Sequence, residues 1–185
     1  MRKKVCRNSG FTLIEVMIVI GMIGILSAIS IPSAMKWLPN YRLKAAARDL
    51  YSNMQKAKVE AVKRNTDVLI KFTSEAYAPA GGKGSYQVFV DDGGTDINPG
   101  IADNQIRDGD EQVLAQVNMP KNVSLYDIIG LTGNTTAGYN SRGLPCTALG
   151  SVYFQNNHSR YYRVALSTAG NVKITTNNDG GTTWN

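Results

Sequence analysis

The chain has 185 residues, of which 43% are hydrophobic and 18% charged, and a formal net charge of +6. This length provides room for one ordinary domain with a short appendage, which excludes a multidomain protein. The one histidine, His158, and the two cysteines, Cys6 and Cys146, cannot supply within one chain a zinc site of four cysteines, of two cysteines with two histidines, or of three histidines.

The N-terminus carries most of the net positive charge, four of the six units, and is followed by an apolar segment. Residues 11–31 read FTLIEVMIVIGMIGILSAISI, and Glu15 is their single charged residue. A helix of this length measures about 31 Å, the thickness of a bilayer's hydrocarbon core. Four basic residues precede it, which predicts a cytoplasmic N-terminus and a remainder outside the membrane.

Three interpretations of this segment compete, namely a cleaved secretory signal, a plain membrane anchor and a specialised helix. Glu15 favours the third, because a carboxylate at the centre of an apolar span costs about 2.5–3.5 kcal/mol and less near its end. A signal or an anchor gains nothing from that charge. A charged residue inside an apolar span usually pairs with a specific partner group.

The string from Ser9 to Pro32 resembles the N-terminus of type IV prepilins and type II secretion pseudoprepilins. The resemblance implies that residues 1–10 are a basic leader, which a prepilin peptidase removes by cutting between Gly10 and Phe11. It also implies N-methylation of Phe11 and retention of residues 11–32 as the transmembrane and assembly helix. Pro32 lacks an amide proton, so we expect a weakened or bent helix there.

Glu15 lies four residues after Phe11, on the same side of a helix as the amine that cleavage would create. In a filament the carboxylate of one subunit can neutralise the amine of its neighbour and so fix the axial register. The alternative is that Glu15 merely reaches the membrane interface.

Residues 33–66 form a predicted amphipathic helix. Between Tyr41 and Asn65, apolar residues recur at steps of four and three, which is typical of one helical stripe: Leu43, Ala47, Leu50, Met54, Ala57 and Ala61. From Lys36 to Asp67 there are eight basic residues against three acidic ones. This surface could contact acidic lipid headgroups or an acidic neighbouring subunit, or could be an ordinary solvated face.

Residues 67–185 switch to short alternating runs separated by Gly, Asn and Asp, which predicts an antiparallel β-rich head. The predicted strands are residues 67–73, 85–91, 112–117, 122–127, 151–155, 160–167 and 171–175. The predicted fold is therefore α+β, with a long N-terminal helix packed on an antiparallel sheet, as in type IV pilins. His158 lies in a predicted hairpin turn.

The C-terminal third resembles the GspH/FimT branch of minor pilins and pseudopilins. The motif is Tyr139 to Pro145, with Asn140, Ser141, Arg142 and Gly143 at its centre, and similar phrases follow from Gly150 and Tyr162. The helix phrase from Ala46 to Asn65 also looks like this branch. The turn at residues 156–159 departs from this branch, because the corresponding turn of the branch often contains glycine and this one has none.

The segment from Asp91 to Glu111 is rich in acidic residues, and Asp91, Asp92 and Asp96 are candidate cation ligands. Calcium prefers such oxygen ligands, but no stretch matches the EF-hand loop, and we favour a solvated loop. Cys146 is more simply a small buried residue than a reactive thiol. The polar tail carries Trp184, which could dock, contact a partner or fray.

These features predict a structural subunit, with no enzymatic activity and no cofactor. The first hypothesis is a minor pilin of the initiation or tip complex of a type IV pilus, and the alternative is a minor pseudopilin of a type II secretion system. The predicted partners are the prepilin peptidase, other major and minor pilins or pseudopilins, and the bacterial inner membrane. The precursor would be a single-pass protein there, before it joins the filament.

A third hypothesis, from another class, is a minor pilin that captures DNA through a basic and aromatic patch. The candidate residues are Arg160, Tyr161, Tyr162, Arg163 and Lys173. From Val68 onward, however, eight basic residues face ten acidic ones, which argues against strong phosphate binding. We therefore expect neither a nucleic-acid partner nor a small-molecule substrate.

Overall fold

The computed structural model describes residues 11–94, 101–102, 106–107, 111–131, 133, 135–177 and 184. The chain divides into two compact units, Met1–Leu38 and Pro39–Asn185. Helix α1 (Leu13–Arg64) has 52 residues, and neither Pro32 nor Pro39 ends it. The bend at Pro32 stays a prediction.

The C-terminus of α1 is closed by a left-handed residue. Asn65 has a φ of 57°, and the Thr66 N–H donates to the Ala61 carbonyl at 3.3 Å. This six-to-one hydrogen bond satisfies a carbonyl that the helix leaves without a partner. One turn earlier, Arg64 Nε donates to Glu60 Oε2 at 2.9 Å. The side-chain bond lowers the pKa of Glu60.

Two four-stranded antiparallel sheets follow the helix. The strands in chain order are β1 (Asp67–Thr73), β2 (Ser85–Asp91), β3 (Val113–Asn118), β4 (Val123–Ile129), β5 (Thr136–Tyr139), β6 (Ser151–Asn156), β7 (Tyr161–Leu166) and β8 (Val172–Asn177). Sheet I has the order β3-β2-β1-β5, and sheet II has the order β4-β6-β7-β8. The predicted α+β fold is confirmed.

Strand β5 is the element that the sequence pattern missed. Its four residues, TAGY, pair with β1 through Val68↔Tyr139 and Leu69↔Gly138. All four are buried, so the alternation that marks a half-exposed strand does not occur. A Cβ at Gly138 would overlap the Leu69 side chain, which explains glycine inside this strand.

The predicted helical stripe forms the centre of the core. All six of its residues are at most 3% exposed, and they join one apolar cluster with residues of both sheets. Sheet I contributes Val68, Ile70 and Phe72 from β1, whereas Leu125 and Phe154 come from sheet II. The amphipathic stripe was therefore predicted correctly.

A buried polar group joins α1 to sheet I. The Tyr86 hydroxyl donates to Asp49 Oδ2 at 2.8 Å and accepts from Asn53 Nδ2 at 2.8 Å. Burial, together with the Asp49 carboxylate, raises the pKa of Tyr86 well above its ordinary value of 10.0. The phenol therefore stays protonated and continues to donate at neutral and moderately alkaline pH.

Two tyrosines make a matched test of this packing. Tyr86→Phe is expected to lower the free energy of unfolding by about 1–2 kcal/mol, because Asp49 and Asn53 lose a buried partner. Tyr139→Phe is expected to leave it unchanged or raise it, because the buried Tyr139 hydroxyl has no hydrogen-bond partner among the described residues. Denaturant titration of the full chain in detergent measures both.

The pH dependence of Tyr139→Phe gives a second readout. Burial raises the pKa of Tyr139 to about 12 in the folded chain, whereas the unfolded value is the ordinary 10.0. Above pH 10 the unfolded chain therefore releases the Tyr139 proton before the folded chain does, so the parent's free energy of unfolding is unaffected by this group below pH 10 and declines as the pH rises through 12. Between pH 10 and 12 the variant's free energy of unfolding should therefore fall less than the parent's. An equal fall would contradict the raised pKa of Tyr139.

Candidate functional site

The N-terminal part of α1 is apolar and uncovered. From Leu13 to Ile31 every residue is exposed except Ser27, which is half-buried. By length and composition the helix could cross a membrane, and none of the residues in its apolar window is buried. So much exposed apolar surface requires lipid or other apolar helices as its surroundings.

Glu15 lies in the first turn of this helix, where Thr12 caps it. The Glu15 N–H donates to Thr12 Oγ1 at 3.3 Å, and the Val16 N–H donates to the Thr12 carbonyl at 3.3 Å. Thr12 and Glu15 thus have the spacing of a capping box, in which a carboxylate also suits the positive end of the helix dipole. The sequence analysis missed this cap, although the pattern T-x-x-E predicts a capping box.

The head motif forms a turn that the Asn140 side chain organises. Asn140 Oδ1 accepts from the Arg142 N–H at 3.0 Å and from the Leu144 N–H at 3.1 Å. The Asn140 main chain also pairs with Leu144, because its N–H donates to the Leu144 carbonyl at 2.8 Å. Gly143 has a φ of 74°, the left-handed region that glycine adopts without strain.

Gly143 brings this turn against α1. A Cβ at Gly143 would lie 3.2 Å from Val62 Cγ2 and 3.3 Å from Lys58 Cε. Lys58 Nζ donates in turn to the Gly170 carbonyl at 3.4 Å. Of the four motif residues predicted as a group, Asn140 shapes the turn and Gly143 lets it approach the helix.

The acidic segment is partly buried. Asp91 ends β2 with its side chain buried, and the buried Glu111 accepts from the Gly93 N–H at 3.2 Å through Oε1. The expectation of a solvated loop is therefore wrong for these two residues, whereas Asp92 is exposed. Among the described residues, no three His, Cys, Asp or Glu side chains could hold a metal ion. Asp96 lies outside the described residues, so cation binding stays a prediction.

The residues of the hypothetical DNA patch do not share one face. Tyr162 packs against the core, whereas its neighbours in β7 alternate to the other face of sheet II. There Arg163 Nε donates to Thr175 Oγ1 at 3.1 Å, and its guanidinium lies 5.0 Å from the centre of the Trp184 ring. The Trp184 ring also meets Tyr153 edge-on, with centroids 5.5 Å apart. The tail residue Trp184 therefore docks on sheet II.

Two smaller expectations concern single residues. His158 lies in the β6–β7 turn, where its N–H and the Arg160 N–H both donate to Asn156 Oδ1 at 3.0 Å. Ser159 takes the left-handed conformation there, with a φ of 53°, which replaces the glycine of other turns. Burial, reinforced by the nearby Asp67 carboxylate, raises the pKa of the Cys146 thiol, so the thiol stays protonated at neutral pH.

Comparison with known proteins identifies this arrangement. The family model described as type II transport protein GspH matches residues 46–170, which include both the helical stripe and the motif turn. The chain belongs to the GspH family. A second model, the prokaryotic N-terminal methylation motif, matches residues 6–31. The GspH family comprises structural pilins and pseudopilins.

A curated relative and two crystal structures resemble this GspH-family chain. The pilin-like protein PilA1 of Thermus thermophilus is 35% identical over 83 residues, which are 44% of this chain and 47% of that protein. The match therefore spans about half the length of this relative. Two crystal structures of the type IV minor pilin FimU of Pseudomonas aeruginosa have TM-scores of 0.45 and 0.47, with 16% and 15% identity. They cover 71% and 73% of this chain, and 91% and 89% of their own.

The contact of Gly143 with α1 can be tested against another glycine with a positive φ. In this GspH-family chain Gly133 has a φ of 56°, and a Cβ added there has no atom of the described residues within 4 Å, its chain neighbours aside. Gly143→Val is expected to lower the free energy of unfolding by about 1–3 kcal/mol more than Gly133→Val, because its methyl groups overpack the Lys58 and Val62 side chains. Equal losses, measured by denaturant titration, would show that only backbone strain matters.

Proposed function

We propose that this chain is a minor subunit that joins the initiation or tip complex of a type IV pilus. In this proposal the precursor crosses the bacterial inner membrane once, with its N-terminus in the cytoplasm. A prepilin peptidase then cuts between Gly10 and Phe11 and methylates Phe11. The observation that carries the proposal is an uncovered apolar helix with one carboxylate, Glu15, in its first turn.

The proposed role of Glu15 follows from the cost of a charge among apolar helices. When the helix leaves lipid and bundles with other subunits, both the mature N-terminal amine and the Glu15 carboxylate enter surroundings of low dielectric constant. Each is expensive there alone, and each offsets the other when they pair across a subunit boundary. A subunit in the wrong axial position leaves both charges unpaired, so the pair selects one register.

A minor role is supported by the head, because the GspH/FimT head that the sequence resembles is associated with low-abundance priming subunits. The second candidate, a minor pseudopilin of a type II secretion system, is favoured by the description of the matching family as a type II transport protein. Both candidates use the same helix and the same register pair. They differ in the machine that the filament serves.

The maturation step predicts a defined N-terminus. Intact mass and N-terminal peptide analysis of the protein purified from membranes should show a chain that begins at Phe11 and carries one added methyl group. Gly10→Val should leave the unprocessed, longer precursor, because the larger side chain obstructs cleavage at that bond. A mature chain that starts after Ile31 would contradict the proposal, since the assembly helix would be lost.

The register pair predicts an assembly defect without a maturation defect. Glu15→Leu should be processed at Phe11 like the parent but should enter filaments about tenfold less, because the neighbouring amine loses its partner. Val16→Leu is the matched control, since it changes an exposed residue of the same turn and keeps the carboxylate. Immunoblotting of sheared filaments against membranes measures incorporation.

The same strains separate the two machines. Loss of surface pili with normal export of secreted proteins supports the pilus, and the reverse result supports the secretion system. Equal incorporation of Glu15→Leu and the parent would contradict the register pair in either machine.

A further inference from the structure

A groove runs along one side of α1, between the helix and strand β3. It consists of two adjoining depressions of about 700 and 560 Å³, which share Ser52 in their walls. Strand β3 is an edge strand of sheet I, and no strand among the residues that the structure describes pairs with its other side. We call this concavity the α1–β3 groove.

The floor of the groove is apolar and incompletely covered. Leu114, Ala115 and Val117 of β3 pack against the core cluster but remain partly exposed. Met119 continues the floor at one end, and Val59 of α1 borders the other end with 64% of its surface exposed. Apolar surface between a helix and a sheet edge is the surface that an additional strand would bury.

The rim of the groove is basic. Lys44 and Arg48 line one depression and Lys56 the other, and all three are exposed. Two acidic residues, Asp49 and Glu60, also lie in the walls, but the five basic residues there outnumber them, and Glu60 pairs with Arg64 at 2.9 Å. The rim thus presents positive charge that the groove itself does not neutralise.

The edge of β3 offers main-chain groups as well. The Met119 N–H donates to the Gly84 carbonyl at 3.1 Å, which makes Gly84 and Met119 a hydrogen-bonded pair. In an antiparallel ladder such pairs alternate with pairs whose N–H and C=O point away. Asn118, opposite Ser85, and Gln116, opposite Gln87, therefore direct their main-chain groups outward.

We infer that the α1–β3 groove binds an extended, acidic segment from the head of a neighbouring filament subunit, which adds a strand to β3. Apolar side chains of that segment would cover the floor, and its carboxylates would meet Lys44, Arg48 and Lys56. A segment of about six residues matches the length of β3. This inference rests on the proposed function, because it supplies the docking surface of an assembly subunit.

An anionic lipid surface fits these observations less well. Headgroups would satisfy the basic rim, but they make no use of an apolar floor or of outward main-chain donors and acceptors. A peptide strand uses all three features together. The combination of the three features therefore favours a protein partner, and lipid becomes an outcome of the test.

The test is site-specific photocrosslinking of the full chain in its host cells. A benzoylphenylalanine at Ser52 places the probe at the junction of the two depressions. The same probe at Lys71 is the control, because Lys71 is exposed on β1 and points to the face of sheet I away from α1. We expect an adduct only from Ser52, and mass spectrometry should locate it in an acidic segment of another pilin or pseudopilin.

Matched variants then test the chemistry of that adduct. The double variant Lys44→Glu and Arg48→Glu should reduce it about tenfold, whereas Lys71→Glu should leave it within about twofold of the parent. Gln116→Pro should also reduce it, since it removes an outward N–H, whereas Gln116→Thr should not. The double variant keeps the test valid should the proline variant fail to fold.

An adduct with a second copy of this chain or with lipid, or no protein adduct at all, would overturn the inference. So would an adduct that the double variant leaves unchanged. The proposed function fails separately, through the Glu15→Leu incorporation measurement, which does not involve the groove. If Glu15→Leu loses incorporation as expected but the adduct does not respond to the Lys44→Glu and Arg48→Glu double variant, only the groove inference is refuted.

Discussion

The head depends on one packing constraint, namely that the helical stripe of α1 must face both sheets at once. Leu43, Leu50 and Met54 supply bulk, and burying each such side chain contributes about 1.5–3 kcal/mol before entropy is considered. Ala47, Ala57 and Ala61 are fully buried but small, so the strands can approach the helix backbone between the larger residues. Much of the rest of the helix surface stays exposed, with Lys44, Arg48 and Lys56 on it, and is therefore available for partners.

The first part of α1 obeys the opposite rule, because its apolar residues are exposed all round. This part of the helix has no separate apolar and polar faces, so lipid and a bundle of similar helices are both adequate surroundings. Glu15 breaks this equivalence. Its N–H is already satisfied by Thr12 Oγ1, so the residue supports the helix start while its carboxylate belongs to the surroundings. A purely structural cap needs no charge in an apolar environment, which is why we propose an intersubunit partner for the Glu15 carboxylate.

Sequence reasoning reached the fold where a single period dominates. The three-and-four spacing from Leu43 to Ala61 gave the buried stripe, and two-residue alternation gave seven of the eight strands. It missed β5, because a fully buried strand that contains Gly138 shows no alternation, and the need for glycine there comes from Leu69 on a strand distant in sequence. It also misjudged Asp91 and Glu111, because composition alone cannot tell a solvated acidic loop from buried carboxylates, one of which, on Glu111, accepts a main-chain hydrogen bond.

The head motif shows why a family pattern and a functional site need separate arguments. Asn140 and Gly143 form a turn that packs on Lys58 and Val62, and this packing explains both residues without reference to the machine that the filament serves. Partner choice must then come from surfaces that the packing leaves unspecified. Edge strand β3 and the basic side of α1 are such surfaces, since their exposed residues can change without disturbing the stripe. A charged rim of this kind gives specificity by rejecting neighbours of the wrong sign as well as by attracting the right one.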